Sequence, residues 1–168
     1  MTRRLVLVRH AKSATDDGPD AARPLASRGV KDAPAIGRQL LDWGISPARV
    51  VVSPARRAAQ TWELAAAQLD RSPDPVLDER VYGNTVDDLF AVVRSTPADV
   101  DTLVLVGHNP SIEEFGSALD DRKGDPAARR ASAHGYPTSA LAVFGIDVSW
   151  DEVRDGSGSL SAFATPRS

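Results

Sequence analysis

The chain has 168 residues, 42% hydrophobic and 26% charged, with a formal net charge of −3 and no cysteine. That length predicts one domain spanning residues 1–168, with enough chain to bury an ordinary core. The missing cysteine excludes a disulfide framework, a thiolate zinc site and a cysteine nucleophile, and the slight acidity speaks against nucleic acid or an anionic membrane as a general partner.

The N-terminus, "MTRRLVLVRH", starts basic, but its apolar run Leu5–Val8 ends at Arg9. A secretory signal needs a longer apolar core, so a cytoplasmic protein is expected. No apolar run approaches the length of a membrane span. Leu5–Val8 itself is too short for a helix and reads as a strand buried on both faces. "ASRGVKDAPAIGRQLLDWG" follows, with Val30, Ala33, Ile36, Gly37, Leu40 and Leu41 on one helical face and a stop at Gly44. Pro34 marks an irregular first turn or a kink there.

Val50–Val52 reads as a second buried strand. Ser53-Pro54 then reads as an N-cap and a first-turn proline, opening a helix through "AQTWELAAAQL". "TVDDLFAVVRS" is a further amphipathic helix capped by Thr85. Leu103–Val106 is a third buried strand, and Asn109-Pro110 opens the helix "SIEEFGSAL". Residues Asp120–Pro137 read as a charged surface loop. "SALAVFGIDVSW" and "SLSAFAT", with "DGSGS" between them, read as two strands near a sheet edge. The alternation predicts an α/β fold: a three-layer sandwich with a mainly parallel central sheet, helices on both faces and an antiparallel edge strand near the C-terminus.

"LVLVRH" at Leu5–His10 and "LVLVGH" at Leu103–His108 are near copies whose flanks share nothing. Buried parallel strands look alike because both faces need branched apolar residues, and open α/β sheets place ligands at the carboxyl edge of their strands. If the three predicted strands are neighbours, Arg9-His10, Ser53–Arg57 and Gly107-His108 converge on one crevice. Arginines, histidines and a helix start there would attract an anion such as phosphate. No G-x-x-x-x-G-K-S/T loop is present, Asp99 and Asp101 precede their strand, and histidine is the nucleophile type left at the edge.

Three motifs, "VRHAKS" at Val8–Ser13, "SPARRAAQT" at Ser53–Thr61 and "VGHNP" at Val106–Pro110, resemble the histidine phosphatase superfamily, and more closely its SixA-like phosphohistidine phosphatases. The resemblance implies His10 as a nucleophile that becomes phosphorylated, with Arg9, Arg57 and His108 clamping the phosphoryl oxygens. Arg57 is chosen over Arg56 because the family arginine is followed by Ala and then, three on, Gln-Thr. "LDERVYG" at Leu77–Gly83 resembles the segment carrying the acid in the phosphoglycerate mutase branch, which would make Glu79 the proton donor. The match stops after Gly83, and Glu79 equally suits a loop ion pair. No cofactor and no metal are implied. The expected partner is a phosphorylated protein or a small phosphorylated metabolite. Alternatives are a small-molecule phosphomonoesterase, a metallohydrolase using the two histidines, and a non-catalytic phosphoprotein-binding module. The cluster Arg122, Lys123, Arg129 and Arg130 is a solvated face or a dock for an acidic protein. Oligomeric state leaves no sequence signal.

Overall fold

Leucine and valine alternate in both near-copies, and the fold uses that alternation. The computed structural model describes residues 2–168. In chain order the elements are β1 (Arg3–Arg9), α1 (Ser27–Asp42), β2 (Arg49–Val52), α2 (Arg56–Ala66), β3 (Val76–Leu77), α3 (Val86–Arg94), β4 (Thr102–Gly107), α4 (Ser111–Leu119), α5 (Pro126–Ser132), β5 (Leu141–Ile146) and β6 (Gly158–Ala164). The strands form one sheet in the order β3-β2-β4-β1-β5-β6. The first four are mutually parallel, whereas β5 and β6 are antiparallel additions. The fold is therefore α/β with a mainly parallel sheet, as the sequence pattern predicts.

The near-copies lie side by side. Leu5 pairs with Leu103, Val6 with Val104, and Arg9 with Gly107. Successive strand residues point to opposite faces. Leu5, Leu7, Leu103 and Leu105 join a core with Phe90 of α3, Phe115 of α4 and Trp150. Val6, Val8, Val50, Val52, Val104 and Val106 join another with Ile36 and Leu40 of α1 and Trp62 of α2. Each such side chain, fully buried, contributes about 1.5–3 kcal/mol relative to exposure. Helices thus cover both faces.

The structure departs from the sequence expectations at four places. The buried face of α1 runs through Gly29, Ala33, Ile36, Gly37 and Leu40, while Val30 and Leu41 are 47% and 42% exposed. Small residues explain the shift: Gly37 lies against the Ala65 carbonyl of α2 and Gly29 against the Lys12 carbonyl, so the contact centres on the glycines. Secondly, α2 starts at Arg56, not beside Ser53; the Ser53 hydroxyl instead accepts from the Ala55 N–H at 3.2 Å. Thirdly, residues 120–137 are not all loop. Asp125 caps α5 through the Ala128 N–H at 2.9 Å with Pro126 in the first turn, a start signal that the surrounding charge conceals. Finally, β3 is a two-residue edge strand that no hydrophobic run announces. The Thr85 cap does form, as a capping box with Asp88.

No helix among the described residues is long and apolar enough to cross a membrane. The α1–α2 contact yields a stability test. Gly37→Ala would push a methyl into the Ala65 carbonyl, an overpacking expected to cost about 1–3 kcal/mol. Urea unfolding of the variant should show that loss. An unchanged midpoint would mean the two helices separate freely.

Candidate active site

Strands β2, β4 and β1 are neighbours, and their carboxyl ends deliver the predicted residues to one place. His10 follows β1, His108 follows β4, and Arg57 lies in the first turn of α2. The two imidazole rings stand 5.1 Å apart between centroids. His10, His108 and Arg57 are only 7%, 9% and 6% exposed, whereas Arg56 is exposed. Of the two adjacent arginines, Arg57 is the one in the site.

Short local bonds place these side chains. The His10 N–H donates to the Gly107 carbonyl at 3.1 Å, extending the β1–β4 ladder by one residue. The next N–H, Ala11, donates to Thr61 Oγ1 at 3.0 Å, and the Thr61 hydroxyl donates to the Arg57 carbonyl at 2.7 Å. Gln60 Oε1 accepts from the Leu25 N–H at 2.8 Å. The Gln60-Thr61 pair thus ties α2 to the chain after His10. From the other side, Ser139, in the left-handed region at φ 68°, shares its N–H between the Arg9 and His10 carbonyls.

His10 Nδ1 lies 2.7 Å from the Ala11 carbonyl, an acceptor, so Nδ1 carries the proton and Nε2 presents a lone pair. Burial lowers the His10 pKa to about 4 against the raising effect of the Ala11 bond, with Arg57, Arg9 and Arg23 lowering it further. Burial, then His10 and Arg57, lower His108 to about 3. Both rings are neutral at pH 7. His108 Nε2 is 2.7 Å from Ser53 Oγ. Ser53 Oγ already accepts from the Ala55 N–H, so its own proton is assigned to Nε2 and the His108 proton to Nδ1. That Nδ1, the Nε of Arg9 and the Nε of Arg57 are all buried without a hydrogen-bond partner. Three unmet N–H positions in one buried cluster are what an oxyanion would satisfy.

Two networks flank the cluster. Arg9 Nη1 donates to the Tyr136 carbonyl at 2.8 Å, which also accepts from Asn109 Nδ2, while Glu113 Oε1 holds Asn109 Nδ2 and the Tyr136 N–H. On the other side Asp20 accepts from Arg57 Nη2 at 3.0 Å, from Arg23 Nε at 3.1 Å and from the Tyr82 hydroxyl at 2.7 Å. The Tyr82 ring is edge-on to His108, with centroids 5.6 Å apart. Glu79 opens the turn that leads to Tyr82 but is exposed, and its carboxylate bonds to none of these groups. Among the described residues no group of three or more His, Asp or Glu side chains is placed to hold a metal ion.

Residues 5–122 match the model of the histidine phosphatase superfamily (branch 1). The chain belongs to that superfamily. This histidine phosphatase is 34% identical over 162 residues to an uncharacterized protein of Mycobacterium tuberculosis, Rv1276c, covering 95% of this chain and all of that one. Its fold superposes with a TM-score of 0.83 on a candidate phosphohistidine phosphatase SixA from Nakamurella multipartitia, at 29% identity over 99% of this chain and 97% of that one. It also superposes on the protein histidine phosphatase SixA complexed with tungstate, at a TM-score of 0.79 and 22% identity over 97% of each chain. The enzyme is a phosphatase.

Sequence reading brings together His10, Arg9, Arg57 and His108 but misses much of their surroundings. Ser53 reads as a helix cap at the edge of the crevice, with no signal of its bond to His108. Tyr82 sits inside the quoted "LDERVYG" stretch, unremarked beside Glu79. Asp20 and Arg23 carry only an i, i+3 charge pair as a signal, and Ser139 carries none.

The neutral histidines make stability pH-dependent. Their folded pKa values lie below the ordinary 6.5, so below that pH the unfolded chain binds protons first. Their contribution is full above pH 6.5. It falls by about 1.4 kcal/mol per pH unit for each histidine as pH drops toward about 4 for His10 and about 3 for His108. Asp20, lowered to about 2 by the Tyr82 and Arg57 bonds, adds its loss only at lower pH. Unfolding free energies between pH 7 and 4.5 should fall more steeply for the wild type than for His10→Gln. Equal slopes would reject the buried neutral His10.

Proposed function

We propose that this phosphatase removes the phosphoryl group from phosphohistidine on a protein, through a covalent phospho-His10 intermediate. One observation carries the reading: the cluster joins a nucleophilic lone pair to donors for an oxyanion, yet among the described residues no carboxylic acid stands ready to protonate a leaving group. Glu79 is exposed and unconnected to the cluster; Asp20, at its mouth, is held ionised; and Glu113, on the Arg9 side, is engaged by Asn109 Nδ2 and the Tyr136 N–H. An alcohol leaves near the pKa of water, about 15.7, and needs such an acid; imidazolium, at roughly 6.5, does not. The likeness to SixA chains is in keeping with this reading.

In the first step Nε2 of neutral His10 attacks phosphorus in line and the bond to the leaving group breaks. Arg9, Arg57 and the Nδ1–H of His108 meet the charge on the equatorial oxygens. His10 keeps its Nδ1 proton on the Ala11 carbonyl, so the phosphorylated ring is cationic. That ring is already in the form that leaves easily when water attacks phosphorus in the second step. A neutral imidazole with its Nδ1–H in place is released, and no side-chain acid is called on. The same four residues suit a small-molecule phosphomonoester only if Glu79 swings in as the acid. A cytoplasmic phosphoprotein is the expected partner.

Turnover of a phosphohistidine protein and of a simple phosphomonoester, measured side by side in chelator, tests the reading. Strong preference for the phosphohistidine is expected, with His10→Ala inactive and Glu79→Gln close to wild type. Arg57→Ala should lose about 3–4 kcal/mol of transition-state stabilisation, the range for a lost oxyanion donor. Near-wild-type turnover by His10→Ala would sink the covalent mechanism. Better ester hydrolysis that collapses in Glu79→Gln would move the substrate to small metabolites, and loss of turnover in chelator would favour a metallohydrolase.

A further inference from the structure

Asp20 lies in the turn Asp20–Ala22, between β1 and α1, with its side chain 53% exposed. His10, Arg57 and His108 beneath it are each more than nine-tenths buried. Its position is well determined: Oδ2 accepts from Arg57 Nη2 and the Tyr82 hydroxyl, Oδ1 from Arg23 Nε, and its backbone carbonyl from Arg57 Nη1 at 2.8 Å. A carboxylate has about four acceptor sites. Three protein donors therefore leave capacity on the solvent side. Arg57, which would hold the phosphoryl oxygens, holds Asp20 with the same guanidinium. In an in-line displacement the leaving group departs on the side of phosphorus away from the nucleophile, here away from buried His10 and toward solvent. The leaving group and the Asp20 carboxylate share that side.

Resting on the phosphohistidine reading above, we propose that Asp20 reads the leaving group, accepting a hydrogen bond from the unphosphorylated nitrogen of the substrate's imidazole ring. The step balances. The substrate ring takes a proton from water on that far nitrogen and becomes cationic, and Asp20 stabilises this form. His10 Nε2 then bonds to phosphorus, the substrate P–N bond breaks with its electron pair returning to the ring nitrogen, and neutral imidazole leaves with the proton on the far nitrogen. Asp20 does for the substrate's ring what the Ala11 carbonyl does for His10. The Tyr82 and Arg57 bonds keep Asp20 anionic across the neutral range, so it can accept this bond but cannot protonate an ester oxygen. An ester leaving group has no N–H to offer and develops negative charge beside the carboxylate. The residue thus selects phosphoramidates with a protonatable ring over phosphoesters.

The test is the ratio of kcat/KM for phosphoimidazole to that for 4-nitrophenyl phosphate, whose leaving group needs no proton. In Asp20→Asn the ratio is expected to fall at least tenfold, whatever happens to either rate alone, and Asp20→Glu should recover most of it. Tyr82→Phe, which loosens the carboxylate but keeps its charge, should lower the ratio less than Asp20→Asn. Equal losses on both substrates in Asp20→Asn would overturn the proposal and leave Asp20 as a positioning residue for Arg57. A wild type that hydrolyses the ester but not phosphoimidazole would overturn the phosphohistidine reading itself, and this inference with it.

Discussion

Because β1 and β4 pair in parallel with Arg9 opposite Gly107, the two strands run out at the same height and deliver His10 and His108 to one point on the sheet edge. The 5.1 Å between the rings is close to the spacing of paired strands. The buried faces of both strands enforce the register. A slip by one residue would exchange leucines for valines between the two cores and turn every side chain to the wrong face. Hydrophobic packing far from the chemistry thereby holds two catalytic candidates in place, each one residue past the end of its strand.

Placing two histidines and two arginines together with little solvent carries an electrostatic cost, and the site meets it in two ways. Neutral imidazoles remove two potential positive charges, which burial and the arginines both favour. Asp20 partly offsets Arg57 from the solvent side. The Nε of Arg9, the Nε of Arg57 and the Nδ1 of His108 have no hydrogen-bond partner within the protein. In the proposed reaction these are the donors that would meet the phosphoryl oxygens.

What the sequence made legible was whatever repeats a physical pattern. Three buried strands announce themselves by unbroken branched runs, and Thr85 by a polar cap before an amphipathic run. His10 and His108 are legible because each sits just past such a run, and Arg57 only through the resemblance of "SPARRAAQT" to the family motif. Illegible parts depend on contacts between distant segments. Ser53 reads as a helix cap until β4 places His108 2.7 Å away. Nothing at Ser139 reveals that its N–H will brace the Arg9 and His10 carbonyls, since no local pattern demands φ 68° from a serine. α5 was hidden because charge density outweighed the Asp125-Pro126 signal, and the α1 face shifted because glycine counts for little in hydrophobic periodicity yet decides how closely two backbones approach.

The near-copies differ at one position, Arg9 against Gly107, and the difference has a packing cause. A Cβ at Gly107 would lie 3.0 Å from Val81 Cγ1 and 3.1 Å from Ile112 Cγ1, so the strand end accepts those side chains directly against its backbone. Val81 closes the turn that Glu79 opens, and the next residue is Tyr82. The bare backbone at Gly107 lets that turn settle on the sheet edge, and this settling carries Tyr82 to the edge of His108 and its hydroxyl to Asp20. At the matching position in β1 the chain can afford an arginine because Tyr136 and Glu113 receive it from another direction. One strand end thus contributes a cation to the site and its neighbour contributes room. The room brings in the tyrosine that helps hold the mouth's carboxylate ionised.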